Sequence, residues 1–306
     1  SAGIVTARDH FTIQFSENTV KHIINDFSTL DVEEARLKYN LGKDVRDWKV
    51  EFAQKDLLNS NINEENIMSI SYRVFDNRKT YFTGNSKGFH CMPRGNVMRN
   101  FIKNNIGLIF NRETKKGAYS SLFITNTITD SHIVDNISYI APLYIYPDEN
   151  SLETERTPNL NLEIVADIEK ALNLKFTPEK EDDKTTFAPI DILDYIYAVL
   201  HSPNYREKYK EFLKIDFPRV PYPDPETFWQ LVALGSELRA LHLMESDTLN
   251  DRVIDTDGEG EMIITNKLNK KDATIENDLV TLKLNADVSI INIPLVAWEF
   301  YIGGYQ

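Results

Sequence analysis

The chain has 306 residues, 42% of them hydrophobic, and a formal net charge of −13. That length and apolar content support a large buried core and exclude a disordered protein. A single cysteine, Cys91, excludes an internal disulfide and a cysteine-based zinc site and fits a reducing cytoplasm. No run approaches the roughly 18 apolar residues of a membrane span, and no signal-peptide pattern opens the chain. Ser1-Ala2 and the stop at "IGGYQ" look like cut ends, so an excised piece of a longer protein is expected.

The first 65 residues read as mainly helical. "SENTVKHIINDF" puts Val20, Ile23 and Ile24 on one face, with Ser16 and Thr19 in the cap region. "VRDWKVEFAQKDLLN" spaces Trp48, Phe52 and Ala53 a helical turn apart. Residues 67–147 change to strands and turns. "SISYRVFDNRKTYF" alternates Ile70, Tyr72 and Val74, turns at Asp76-Asn77 and resumes with Thr80-Tyr81-Phe82 as a hairpin. "NVMRNFIKNN" predicts a helix of about ten residues, with Val97, Met98, Phe101 and Ile102 inward and Arg99 and Lys103 sharing the outer face. "GLIFNR" and "SLFITNT" read as buried strands, and "SYIAPLYIYPDE" as an edge strand because Pro142 has no N–H for a ladder.

An acidic connection holds one helix, "NLEIVADIEKAL", and a solvated loop, "EKEDDK". "PIDILDYIYAVLHS" keeps Ile192, Tyr195, Ile196, Val199 and Leu200 on one stripe, and Ser202-Pro203 restarts a helix with a cap and a first-turn proline. After the extended "KIDFPRVPYP", Asp224-Pro225 opens a long helix. The last residues return to strands: "RVIDTDGEGEMIIT" as a hairpin around Asp257-Gly258, then "LVTLKL" and "VSIINIPLVAWEFYIGG". The expected class is α+β: a mixed β-rich subdomain, a helical subdomain, and C-terminal strands returning to the β-rich part.

Charge is unevenly spread. Residues 71–120 hold ten Lys/Arg against two acids, Asp76 and Glu113, while the remainder holds 24 against 45. Within that basic stretch stand Arg73, Arg78, Lys79, Lys87, Arg94, Arg99, Lys103, Arg112, Lys115 and Lys116, interleaved with aromatic and amide side chains. Arginine forks match phosphate or guanine edges, asparagine can read adenine, and lysine supplies point charges to phosphates. A basic face on an acidic body still attracts nucleic acid, because distant charges are screened beyond about 8 Å.

Catalytic patterns are missing. "DGEGE" is acidic and reads as a turn, and no P-loop, H-E-x-x-H or Asn/Asp-Pro-Pro-Tyr loop occurs. Asp148 with Asp182, Asp183 and Lys184 imitates a nuclease metal site, and His132 between Asp130 and Asp135 an acid–base cluster. A charged loop and a polar turn account for both. Tyr195, Tyr197 and Trp229 read as packing residues.

"RDWKVEFAQKDL", "SYRVFDNRKTYF", "MPRGNVMRNFI", "NIGLIFNR", "APLYIYPDE", "DILDYIYAVLHSPNYREKYKEFLKIDFPRVPYP" and "VAWEFYIGGYQ" occur in this order. Together they resemble the C-terminal target-recognition region of Type ISP and related Type IIG restriction–modification enzymes, which also carry an adenine-N6 DNA methyltransferase domain. The resemblance implies a DNA-recognition fragment with no catalysis of its own. Its partners would be double-stranded DNA and an upstream methyltransferase domain of the same chain, with no membrane. It implies no cofactor in this fragment and S-adenosylmethionine in the methyltransferase domain. The nuclease and the ATP-driven motor would also lie upstream. Residues 1–65 would be the connection to the methyltransferase domain, with some apolar surface of residues 3–27 exposed. Residues 66–150 would be the basic recognition subdomain, 151–246 a helical scaffold, and 247–306 strands packing back on the recognition subdomain. From side-chain chemistry, Arg73, Arg78, Lys79, Arg94, Arg99, Lys103 and Arg112 are expected to meet DNA, with Asn77 and Asn104 as base readers. The alternative is an interaction or scaffold module whose basic face docks on an acidic partner domain.

Overall fold

Ser16 starts the first long helix: its hydroxyl accepts the Thr19 amide at 3.1 Å. The helix Glu17–Thr29 then buries Val20, Ile23, Ile24 and Phe27. This computed structural model describes residues 1–45, 47–113, 119–134, 137–148, 151–251 and 255–302. Asp31 caps Val32–Lys38 through the Glu33 and Glu34 amides, and Val50–Asn59 follows. Trp48 stands before that last helix, not on it. Its backbone bridges Val45 and its indole N–H donates to the Phe89 carbonyl at 3.2 Å. Together these helices bury Phe11, Phe27, Trp48, Leu57, Tyr81 and Phe89 in one core.

A four-stranded sheet adjoins it, in the order Ile13–Gln14, Asp76–Tyr81, Ile67–Arg73, Ile128–Thr129. Its hairpin turns at Val74-Phe75, one step before the expected Asp76-Asn77. Phe75 takes the left-handed φ of +59° there. Its ring packs edge-on to Phe123 and His242, at 5.3 and 5.8 Å, which holds the tip against the helical part of the molecule.

A second sheet is ordered Leu122–Thr125, Gly107–Phe110, Tyr139–Pro142, with the Pro142 strand at its edge as expected. Its alternation feeds two cores. Ile109, Phe123 and Ile140 join Ile4, Ile70, Met98 and Phe101. Leu108, Phe110, Leu122 and Ile124 meet the helices on the other face. Both faces are covered, so these strands read as continuous apolar runs.

The helical part is built on Pro189–His201 against Phe228–His242. Their close crossing needs Gly235, where a Cβ would stand 1.9 Å from the Asp194 carbonyl oxygen. Beside it Arg239 forks onto the Asp194 carboxylate at 2.7 and 3.1 Å. Asn161 caps Leu162–Leu172, and Ser202 caps Pro203–Lys208.

The C-terminal sheet differs from its sequence reading. Asp255–Asp257 pairs with Ser289–Pro294, and Leu279–Lys283 and Ala273–Glu276 complete the order. The expected hairpin across Gly258 is absent among the described residues. Gly258, at φ +103°, passes so close to the Asp287 carbonyl that a Cβ would meet it at 1.8 Å. The Asn285 amide then ties down the Glu261 and Ile263 carbonyls outside any strand. Leu295–Trp298 forms a helical turn where strand was expected, and Ile302 returns to the central core. The molecule is α+β, with several small sheets and a C-terminal antiparallel one.

Candidate nucleic-acid interface

The strand register sets the first group of cations. Gln14 pairs with Lys79 and Ile70 with Arg78, so Phe15 lies beside Arg78 at the sheet edge. Arg78 forks onto Asp76 at 2.7 to 3.0 Å. Its guanidinium stands 4.2 Å from the Phe15 ring centre and 4.5 Å from that of Tyr72. Arg73 sits 3.8 Å from the same Tyr72 ring and bonds Asp130 at 2.9 Å. Such contacts between guanidinium and aromatic faces favour a rigid arrangement over a mobile one. The Tyr72 hydroxyl donates to Asp9, and burial pushes it up to about 12. Burial also raises the Asp130 carboxyl, against the pull of the His132 amide and Arg73. Lys79 donates to the Ser69 hydroxyl at 3.0 Å, and exposed Asn77 accepts from Ser71 at 3.0 Å.

The second group follows the turn after Phe82. Asp56 is buried and accepts from Thr83, Asn85 and the Phe89 amide at 2.8 to 2.9 Å, which fastens the loop carrying Lys87. Arg94 takes the left-handed φ of +55° just before the helical turn Gly95–Met98. That turn tightens into a 3-10 segment, Arg99–Phe101, and stops short of the expected helix. The Asn100 amide donates to the Asn96 and Val97 carbonyls, a local competition that shortens helices. Met98 and Phe101 point inward as expected, whereas Ile102 turns out and is 57% exposed.

The described cations of the basic stretch therefore fall into two sets. Arg73, Arg78 and Arg99 are paired with Asp130, Asp76 and Asp148. Lys87 and Arg94 are exposed with no ion-pair partner among the described residues, and Lys103 only faces the Tyr146 ring at 5.3 Å. Arg112 is exposed, 4.0 Å from Asp216 and over the Phe217 ring at 5.8 Å. Asn104 is exposed and its amide is unbonded among the described residues. Lys115, Lys116 and Asp135 lie outside the described residues. Asp130 is committed to Arg73 and the His132 amide, as a polar turn requires. Among the described residues no cluster has the makings of a metal site, and no helix is long and apolar enough to cross a membrane.

Some participants carried no sequence signal. Phe15, 82% exposed, is stacked on Arg78. Arg156 sits in an acidic stretch, yet it forks onto Glu179 at 2.7 and 2.8 Å and lies 3.8 Å from the Tyr144 ring centre.

An exposed cationic set on a braced β-rich body is an arrangement suited to a polyanion. The chain belongs to the Type ISP C-terminal specificity domain family, whose model matches residues 1–306. In fold it is similar to three solved structures. One is a cryoEM structure of a DrdV–DNA complex, with TM-score 0.68 and 20% identity over 100% of this chain and 30% of that one. Another is the ATP-dependent Type ISP restriction–modification enzyme LlaBIII bound to DNA, with TM-score 0.68 and 20% identity over 99% and 19%. The third is a nuclease-deletion mutant of the Type ISP enzyme LlaGI in complex with a DNA substrate mimic, with TM-score 0.64 and 19% identity over 99% and 27%. The chain thus spans less than a third of the length of each of these. No curated protein matches it.

Proposed function

We propose that this chain selects the DNA site for a longer restriction–modification enzyme and performs no chemistry itself. It grips duplex DNA through Lys79, Lys87, Arg94, Lys103 and Arg112, while Arg73, Arg78 and Arg99 brace the segments that carry them. Asn77 and Asn104 are the base readers. The observation that carries this reading is the match of all 306 residues to a specificity-domain family. The relatives of like fold are described as bound to DNA or a DNA mimic, which supports it. In the longer protein, residues 1–65 would join a methyltransferase domain that binds S-adenosylmethionine and modifies adenine, in the cytoplasm. Residues 66–150 would be the recognition part, 151–246 the scaffold, and 247–306 the strands that pack back on it.

Fluorescence anisotropy with a mixed-sequence duplex tests the reading. Affinity should fall linearly in log–log with salt, by a slope set by the phosphates neutralised. Equal affinity for duplex and for an acidic polypeptide would point to protein docking, and no duplex binding at low salt would end the DNA reading.

A further inference from the structure

The backbone around residues 102–104 is held by side chains from several segments. The Asn104 carbonyl accepts two side-chain donors, the Tyr146 hydroxyl at 2.6 Å and the Arg156 guanidinium at 3.0 Å. Buried Asn105 donates to the Asn100 and Tyr144 carbonyls at 2.9 and 2.8 Å and accepts the Tyr144 amide at 3.1 Å. The Asn100 side-chain oxygen accepts the Tyr146 amide at 2.8 Å. Arg156 is itself fixed by Glu179 and by the Tyr144 ring. Three amide or guanidinium side chains are thus spent on backbone atoms around a tip of three residues. The side chains of Ile102, Lys103 and Asn104 all remain exposed.

We propose that residues 102–104 are a preorganised sequence-reading tip and that Arg156 and Tyr146 are its positioning residues. This rests on the DNA reading above and deepens it. Phosphate contacts tolerate mobile side chains, because a point charge works over a range of positions. Base contacts require fixed geometry, since the donor and acceptor pattern changes within one base pair. The Asn104 amide supplies the donor and acceptor that adenine requires in the major groove. Ile102 supplies methyl groups for the neighbouring thymine methyl, and Lys103 meets a phosphate. An isoleucine 57% exposed on a braced tip has no core to serve and suits an apolar base edge. Holding the backbone before binding lowers the ordering cost that a loose loop would meet on contact with DNA.

Selection of the 306-residue chain against a randomised duplex pool tests this, alongside Arg156→Ala, Tyr146→Phe, Ile102→Ala and Asn104→Ala. Wild type should enrich a motif. Ile102→Ala and Asn104→Ala should each flatten adjacent positions of it, by roughly tenfold in preference for Asn104. Arg156→Ala and Tyr146→Phe should blur those same positions while leaving affinity for unselected duplex within about threefold, because phosphate contacts dominate nonspecific binding. Tyr146→Phe removes one hydroxyl and keeps the ring beneath Lys103, so a folding defect in Arg156→Ala does not decide the outcome. An unchanged motif in Tyr146→Phe and Asn104→Ala, with duplex binding intact, overturns the tip and leaves DNA binding standing. Binding without any enriched motif in wild type also overturns it. Absence of duplex binding in wild type overturns both.

Discussion

Removing the unpartnered cations and removing the paired ones should have opposite signatures. Lys87, Arg94 and Lys103 have no carboxylate within ion-pair distance among the described residues, so on the proposed reading each is available to one phosphate. Each phosphate contact contributes about 0.9 to the log–log salt slope. The triple alanine variant should therefore flatten that slope by roughly 2.7, so that wild type loses roughly 40-fold more affinity than the variant between 50 and 200 mM salt. Arg73→Ala should behave differently, because Arg73 faces Asp130, whose side chain is only 5% exposed. Stripping the partner from that carboxylate should cost about 2 to 3 kcal/mol of stability, the low end because the guanidinium is partly in water. Its salt slope should stay within about 0.5 of wild type. Anisotropy titrations at four salt concentrations and urea melts measure both quantities. A salt slope lowered as much by Arg73→Ala as by the triple variant, at unchanged stability, would refute this division of labour.

Asp56→Ala should cost about 3 kcal/mol and loosen the loop carrying Lys87, since it strands the donors of Thr83, Asn85 and Phe89. Chemical denaturation with hydrogen exchange at residues 83–91 checks this. Gly235→Ala should lower stability by about 3 kcal/mol, because the new Cβ meets the Asp194 carbonyl at 1.9 Å and the two helices must part. A melting temperature equal to wild type would show that they do not cross there. Burial pushes the imidazoles of His90 and His242 down to about 4 and that of His201 to about 3. The unfolded chain takes up these protons near pH 6.5 and the folded chain does not until about pH 4. Stability is therefore full above pH 6.5 and falls as the pH drops, by up to roughly 1.4 kcal/mol per pH unit for each histidine. Asp130 and Asp194, raised by burial, oppose this as the pH nears the carboxylate range. Urea midpoints at pH 7, 6 and 5 read the effect, and a flat profile would count against buried neutral histidines.

What was legible in the sequence is what is decided locally. Ser16 and Ser202 cap helices by reaching amides three residues on, and Pro142 marks an edge strand by its missing N–H. Apolar stripes found the faces of Glu17–Thr29 and Pro189–His201 for the same reason. Long-range partners leave no such trace. Nothing near Asp255 signals that it will pair with Ile291, so the wrong hairpin was the natural reading. A tally of basic residues is blind to long-range partners in a similar way. A window of charges treats every arginine as free, but the partner of Arg73 lies 57 residues away and that of Arg99 lies 49 away. Only Asp76, two residues from Arg78, stood inside the window. The short helix at Gly95–Met98 had a local cause, the side chain of Asn100, but its backbone bonds compete with a helix only weakly in general and periodicity outweighed them.

The paired arginines also bear on how a −13 chain could grip a polyanion when three arginines of its basic stretch are already paired with carboxylates. Nonspecific affinity scales with the number of phosphates neutralised, so spending Arg73, Arg78 and Arg99 on carboxylates lowers it. Specificity is a ratio, and it grows when the sequence-independent part shrinks while base contacts keep their geometry. Arginines that stack on Phe15 and Tyr72 or pair with buried Asp130 supply that geometry. The same guanidinium chemistry that could bind phosphate instead stiffens the body that presents the exposed cations. On the proposed reading, the chain trades grip for discrimination, which is the balance expected of a domain whose task is to choose a site.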